Sequence, residues 1–343
     1  MKRIGKKTGI WSCVFVAVFF SFLVQFQEVA AGDKTKLIVG GRSATIVAGL
    51  GNGWFQDEGL EIEIVYLRNF MQYPSMLAAG KIDILDGYLP MNFWNMIDEG
   101  ADFKIISGGA QCVAAEGNEP DRNIRGFVVR KDLYDKGEIR EIKDLVGKKV
   151  ATFAPAPRKG AVSPFPVAHK IFGKLYGEIV WIRIPKPLDS LAALEKGDVV
   201  AARLRAPWFN LAVKKGIAVE LFKETDYFPK MQVTAIAARD KFLEKNREVV
   251  IKFLRAYLKA LKYVNEVQRG LHQDEYKAFN KQYTDIPENV AFELIQAYKY
   301  TDEIDRNDLT IMQDHFVMTG SQKRFIPLDQ AIDLSYLNEA KKR

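Results

Sequence analysis

Cysteine and histidine are scarce in this chain: its 343 residues hold 2 cysteines and 3 histidines. Cys13 lies in an N-terminal apolar run, so a chain trimmed of that run keeps Cys112 alone. An internal disulfide is thereby excluded, and Cys112 reads as a small buried side chain. A nucleophilic role would need a neighbouring base, and none is offered in the sequence around it. His169, His272 and His315 are far apart, each inside a helical pattern and none at a metal-ligand spacing. Also missing are a G-x-S-x-G elbow, an H-E-x-x-H pair and a glycine-rich loop before Lys-Ser or Lys-Thr. No catalytic residue, metal or cofactor is therefore expected. Long runs of Lys and Arg are absent beyond the first residues, as is a basic helix interleaved with aromatics, which argues against a nucleic-acid partner.

What is present begins with an export signal. A basic start, "MKRIGKK", precedes the apolar run "WSCVFVAVFFSFLVQF", and Val29 and Ala31 supply the small residues of a cleavage site. Cleavage after Ala31 is expected, because the apolar run is short for a membrane span. Loss of residues 1–31 removes Lys2, Arg3, Lys6, Lys7 and Glu28, which lowers the net charge from +7 to +4. The remainder is long enough for two domains. The full chain's 48% hydrophobic and 27% charged residues are those of a globular protein.

Two stretches repeat one phrase. "LAAGKIDILDGYLP" (Leu77–Pro90) and "LEKGDVVAARLRAP" (Leu194–Pro207) both read Leu-x-x-Gly, an apolar run, and a loop closing on proline. Each falls in the same place within a strand–helix rhythm. The first rhythm has strands at Lys36–Gly41, Leu60–Ile64, 82–85 and Phe103–Gly109. A helix from Thr45 to near Gly59 and others at Tyr73–Ala79 and after Pro90 alternate with these strands. The second has strands at Lys149–Phe153, 178–185 and 199–204, with helices at 164–177, 189–197 and from Pro207 to Gly216. Such alternation predicts an α/β fold of parallel-rich sheets flanked by helices. Two lone strand-like segments, Ile124–Lys131 and Gln232–Arg239, read as crossovers between two lobes. A long amphipathic helix then starts at Asp240, its expected N-cap, and further helices are expected at 287–300 and 308–320.

Three passages carry a family resemblance. "GNGWFQDEGLEIEIVYL", "MLAAGKIDI", and "EIKDLVGKKVA" followed by "DSLAALEKGDVVAARLRAPW" resemble the nitrate/sulfonate/taurine-type solute-binding proteins of ABC importers, a family that includes binders of thiamine-pyrimidine precursors. The resemblance covers most of residues 36–239. It implies the two-lobed type II architecture of periplasmic binding proteins with two hinge crossovers, 124–131 and 232–239. Lobe one would comprise 33–123 with 240–343, and lobe two 132–231. It further implies a periplasmic monomer that captures a small solute and presents it to an ABC permease and its ATPase. An enzyme of thiamine-pyrimidine synthesis resembles the same lobes, but that branch carries a Cys-rich stretch which this chain lacks. A stand-alone ligand sensor of the same fold is the third reading.

Ligands of open α/β sheets sit beyond the carboxyl ends of the strands. That rule, with the resemblance, nominates Arg42 and Ser43 after the first strand, and Asp86, Gly87 and Tyr88 before Pro90. In lobe two it nominates Arg158 in "APAPRKG", Arg205, and Trp208 at the start of a helix. Arg205 is the leading anion ligand, since a guanidinium grips a two-oxygen group bidentately. The chain departs from the family in lacking both a Ser-rich loop at 154–160 and a carboxylate before Pro207-Trp208. The expected solute is a small organic anion, with Tyr88 against its apolar body.

Overall fold

The computed structural model describes residues 34–67, 69–113, 125–153, 166–206, 208–296 and 298–343. In chain order its strands are β1 (Thr35–Gly40), β2 (Leu60–Val65), β3 (Ile84–Gly87), β4 (Phe103–Gly108), β5 (Ala110–Val113), β6 (Arg125–Arg130) and β7 (Lys149–Thr152). They continue with β8 (Val180–Arg183), β9 (Ala201–Arg205), β10 (Ala218–Lys223), β11 (Lys230–Gln232), β12 (Ala235–Arg239) and β13 (Lys299–Tyr300).

Two five-stranded sheets share one plan. The first is ordered β2-β1-β3-β12-β4 and the second, read from its parallel edge, β8-β7-β9-β6-β10. In each, three parallel strands are followed by one antiparallel strand, β12 or β6, and an edge strand antiparallel to it. The segments expected as crossovers lie at the two passages of the chain between the sheets. They hold β6 and β12, the antiparallel strands. Beside them lies a third sheet, β11-β5-β13, in which both neighbours run antiparallel to β5.

The shared plan explains the repeated phrase. Helix Tyr73–Ala78 leads through Gly80 to β3, and helix Pro187–Lys196 leads through Gly197 to β9. Gly80 and Gly197 have φ of +68° and +82°, a left-handed turn that glycine adopts without a Cβ penalty. The scaffold glycine recurs because the turn recurs.

Each sheet is covered on both faces. Ile46, Phe55, Phe253, Leu254 and Tyr257 belong to one core of the first sheet, and Leu85, Phe93, Phe103 and Phe316 to the other. The second sheet buries Phe127, Trp181 and Phe222 on one face and Leu191, Leu204 and Phe209 on the other. Full burial of such side chains stabilises the fold by roughly 1.5–3 kcal/mol each.

Several helix boundaries differ from expectation. The helix expected up to Gly59 is two pieces, Ala44–Gly51 and Trp54–Asp57, because Gly53 turns left-handed between them. The long helix is broken at Asn246, whose φ of −120° and ψ of 34° leave the helical region, giving Asp240–Lys245 and Arg247–Gln268. Asp240 is the first helical residue of the shorter piece; its N-cap is Arg239. The helix expected over 287–300 ends at Gln296, because Lys299 and Tyr300 pair with β5 instead. No helix among the described residues is long and apolar enough to cross a membrane.

Candidate functional site

The first sheet contributes the ends of β1 and β3. Beyond β1, Ser43 caps helix Ala44–Gly51, its hydroxyl accepting from the Ile46 N–H at 3.3 Å. The Ser43 N–H donates to Asp86 Oδ2 at 3.1 Å, so a β3 carboxylate pins the loop leaving β1. Asp86 is buried, and burial pushes its pKa up to about 6 against the opposing pull of Ser43. Its Oδ1 has no hydrogen-bond partner among the described residues. Arg42 turns the other way: its Nη2 lies 2.5 Å from Asp285 Oδ1, and its guanidinium stands 4.1 Å over the Tyr66 ring. Arg42 and Ser43 both line a cavity of about 210 Å³ on the side of helices Gln273–Tyr283 and Glu288–Gln296.

Gly87 ends β3, in register with Ala235, and Tyr88 follows it. The Tyr88 ring meets Phe70 edge-on at 5.4 Å, and its hydroxyl donates to Met312 Sδ at 3.4 Å. Burial pushes the Tyr88 pKa up to about 12; Asp308 adds to the rise, while Arg125 and Arg203 oppose it.

Those arginines belong to one face of the second sheet. Arg125 opens β6 directly opposite Arg205 at the end of β9, and Arg203 stands two residues before Arg205. Directly opposed and alternate residues share a face, so all three guanidiniums leave the same side of the sheet. Arg203 is buried; its Nε donates to Glu224 Oε1 at 2.6 Å, and its guanidinium lies 4.7 Å over Phe153. Arg125 Nη2 donates to the Tyr298 hydroxyl at 3.4 Å, and its buried Nε has no partner among the described residues. Arg205 is exposed. Trp208 is half-buried and packs on the core that holds Leu191 and Phe209. Arg158 lies outside the described residues.

The structure places Arg42 and Ser43 on a cavity wall, Tyr88 just beyond the end of β3 and Arg205 on the arginine face; Arg125, Glu224, Asp308 and Tyr298 are not among the residues the sequence nominates. Arg125 was hidden in a segment read as a crossover and Tyr298 in one read as helix. The signal that could have found the arginine face is "AARLR", which writes charge at alternate positions of an otherwise buried strand. The acidic partner of Arg203 is Glu224, which lies just beyond β10. His169 and His315, read as unrelated helix residues, lie with ring centroids 5.2 Å apart, bringing helices Pro166–Phe172 and Arg306–Met318 together. No group of three or more His, Cys, Asp or Glu side chains that could hold a metal occurs among the described residues.

Two like-planned sheets, each joined to its antiparallel strand by a passage from the other, define the type II architecture of two-lobed binding proteins. Residues 42–269 match the family described as NMT1/THI5 like, and the chain belongs to it. It is 24% identical over 343 residues, 95% of each chain, to a Bacillus subtilis (strain 168) protein described as an aliphatic sulfonates-binding protein. Its fold is similar to that of the periplasmic aliphatic sulphonate binding protein SsuA from Escherichia coli, at TM-score 0.63 and 18% identity over 88% of this chain and 92% of that one. The desulfurization enzyme DSZB has the same fold, at TM-score 0.64 and 14% identity over 90% of this chain and 99% of that one.

Proposed function

We propose that this protein is the extracytoplasmic solute-binding component of an ABC importer, and that it captures a small organic anion between its two sheets. The observation that carries this reading is the arginine face: Arg125, Arg203 and Arg205 share one side of the second sheet, and Arg125 Nη2 reaches the Tyr298 hydroxyl of the C-terminal segment. A partly desolvated guanidinium cluster favours carboxylate, sulfonate or phosphate, because charge-assisted contacts strengthen as water is excluded. Tyr88 supplies an apolar wall with a hydroxyl tip. The names of the sulfonate-binding relatives support both the transport role and the anionic head.

In this reading residues 1–31 direct export to the periplasm and are removed. Residues 33–123 with 240–343 form one lobe and 132–231 the other, and the passages at 124–131 and 232–239 flex as the lobes close. The closed monomer delivers its solute to a permease driven by an ATPase. The fold shared with DSZB supplies no enzymatic reading, since one scaffold hosts unrelated functions.

A thermal-shift screen of alkyl and aryl sulfonates, nitrate, carboxylates and organic phosphates tests the proposal. A ligand at about 100 times its Kd adds roughly 2.7 kcal/mol of stability, so at least one organic anion is expected to raise Tm by several degrees and to be recovered chemically unchanged. Failure of every anion to shift Tm, or conversion of the hit into product, would overturn it.

A further inference from the structure

The cavity beside Arg42 is lined by the end of β1, by the helices on that side and by the third sheet through Ala110 and Tyr300; none of its lining residues comes from β6 to β10 or the helices between them. Its volume is about 210 Å³. Val47, Val233, Leu294 and Ile295 give it mostly aliphatic walls, and Tyr276 and Tyr300 are buried aromatics among them. Aliphatic cavities on the order of 150 Å³ hold a benzene ring. A half-open apolar space of this size can take up the apolar part of a small ligand.

Two observations connect this space to the arginine face. Tyr298 lines the cavity, and its hydroxyl receives the Arg125 Nη2 hydrogen bond at 3.4 Å. One tyrosine side chain therefore separates the cavity from an arginine of the second sheet. At another wall Arg42 has a side chain only 10% exposed, and its Nε is buried with no partner among the described residues. Three other polar side chains of the wall have internal partners: the Asn280 amide donates to the Ile286 carbonyl, the Thr284 hydroxyl donates to Asn280, and Thr234 accepts from the Ala110 N–H. The cavity thus offers apolar surface, the unpartnered Arg42 Nε–H and, at its Tyr298 wall, a cation.

We propose that this cavity receives the apolar body of the solute, so that the cargo is an anion carrying an aromatic ring or a branched alkyl group rather than a bare inorganic ion. The inference rests on the anion-capture reading above for the head of the molecule. The cavity itself is tested separately. The body lies against Val47, Val233 and Ile295, an acceptor on it takes the Arg42 Nε–H, and the anionic head reaches Arg125 past Tyr298. Specificity between short and bulky anions then resides in the first lobe, and recognition of charge in the second.

The test is calorimetric titration of p-toluenesulfonate, methanesulfonate and the uncharged p-cresol into the full chain. The variants are Ala291→Leu and Ala44→Leu, which fill the cavity from two different walls, and Lys259→Ala, which lies outside it. In the unmodified protein p-toluenesulfonate is expected to bind at least about thirtyfold tighter than methanesulfonate, from the apolar area it buries. Each filling variant should erase at least about tenfold of that preference by occupying the same space. Both should leave methanesulfonate binding within a factor of about two, and Lys259→Ala should leave all three probes alone. p-Cresol should bind saturably to the unmodified protein and not to the filling variants. An unchanged preference in both variants, with melting showing them folded, overturns the inference. If neither sulfonate binds, the anion reading fails, and p-cresol decides the cavity: binding lost on filling upholds an apolar site, and no saturable binding removes it.

Discussion

Gln111 on β5 and Gln232 on β11 pair in register across the third sheet, and Gln111 Nε2 donates to Gln232 Oε1 at 3.1 Å. Both side chains are buried, and each takes on further work. Gln232 accepts from the Asp305 N–H at 3.0 Å and donates to the Thr234 carbonyl at 2.7 Å, while Gln111 donates to the Glu303 carbonyl at 3.1 Å. The Gln232 N–H itself donates to Asp308 Oδ2 at 2.8 Å. Strands β5 and β11 are thereby tied to each other and to the segment that enters helix Arg306–Met318.

Gln232→Leu removes the acceptor of the Asp305 N–H and one of the two acceptors of the Gln111 amide, which keeps the Glu303 carbonyl. A buried donor so orphaned costs about 1–3 kcal/mol, and a loss of that size is expected. Urea unfolding measures it; a loss under about 0.5 kcal/mol would show that the pair carries no strain-free connection worth keeping.

Asp308 gives the protein an inverted pH response. Burial is the main cause that pushes its pKa up to about 7, with Asp305 adding to the rise and the Gln232 N–H opposing it. Because the folded form holds this proton more tightly than the unfolded chain, the associated stability is fully present below about pH 4. It is lost as pH rises through about 7. Asp86, raised to about 6 by its own burial, acts in the same direction. Asp308→Asn cannot ionise and should be more stable than the unmodified protein at pH 7.5 by on the order of 1–3 kcal/mol, with the gain shrinking toward pH 4.5. Denaturant titrations at the two pH values check this, and an equal effect at both would refute the assignment.

The buried Arg203–Glu224 pair is the fixed part of the arginine face. Glu224→Gln removes the charge that compensates a buried guanidinium, and breaking such a pair costs about 3–5 kcal/mol. It also leaves Arg203 available to an anion. Stability measured without ligand should fall, and affinity for the anion identified by screening should rise. A variant that loses affinity instead would assign Glu224 to the ligand contact itself.

Much of this architecture was legible in the sequence, because the scaffold is written in local signals. Leu-x-x-Gly before an apolar run specifies a helix, a left-handed stop and a strand, and Gly80 and Gly197 take that conformation. The alternating "LEIEIV" gives β2, whose register with β1 runs from Thr35↔Leu60 onward. The site was less legible because its partners are distant in sequence. Nothing near Arg125 announces Tyr298, and nothing near Arg203 announces Glu224. Tyr298 and Tyr300 follow a helical pattern into their turn, and only the open edge of β5 draws Lys299 and Tyr300 into a strand. Arg42 stands at a strand end as its place in the sequence implies, yet its direction, toward Asp285 on a far helix connection, depends on the packed fold.

The central claim is that the second sheet's arginines hold the head of an anionic solute, and one calorimetric comparison tests it most directly. The screened anion is titrated into the unmodified protein, Arg125→Gln, Arg205→Ala and Lys259→Ala. Lys259 pairs with Glu58 at 3.8 Å on helix Arg247–Gln268 and serves as the remote cation. Losing one charge-assisted contact from a desolvated site costs about 2–5 kcal/mol. The account therefore predicts at least about a tenfold weaker Kd for Arg125→Gln and for Arg205→Ala, with the larger loss at the less exposed Arg125, and little change for Lys259→Ala. Equal, small effects from all three would contradict it and move the anion site away from this sheet.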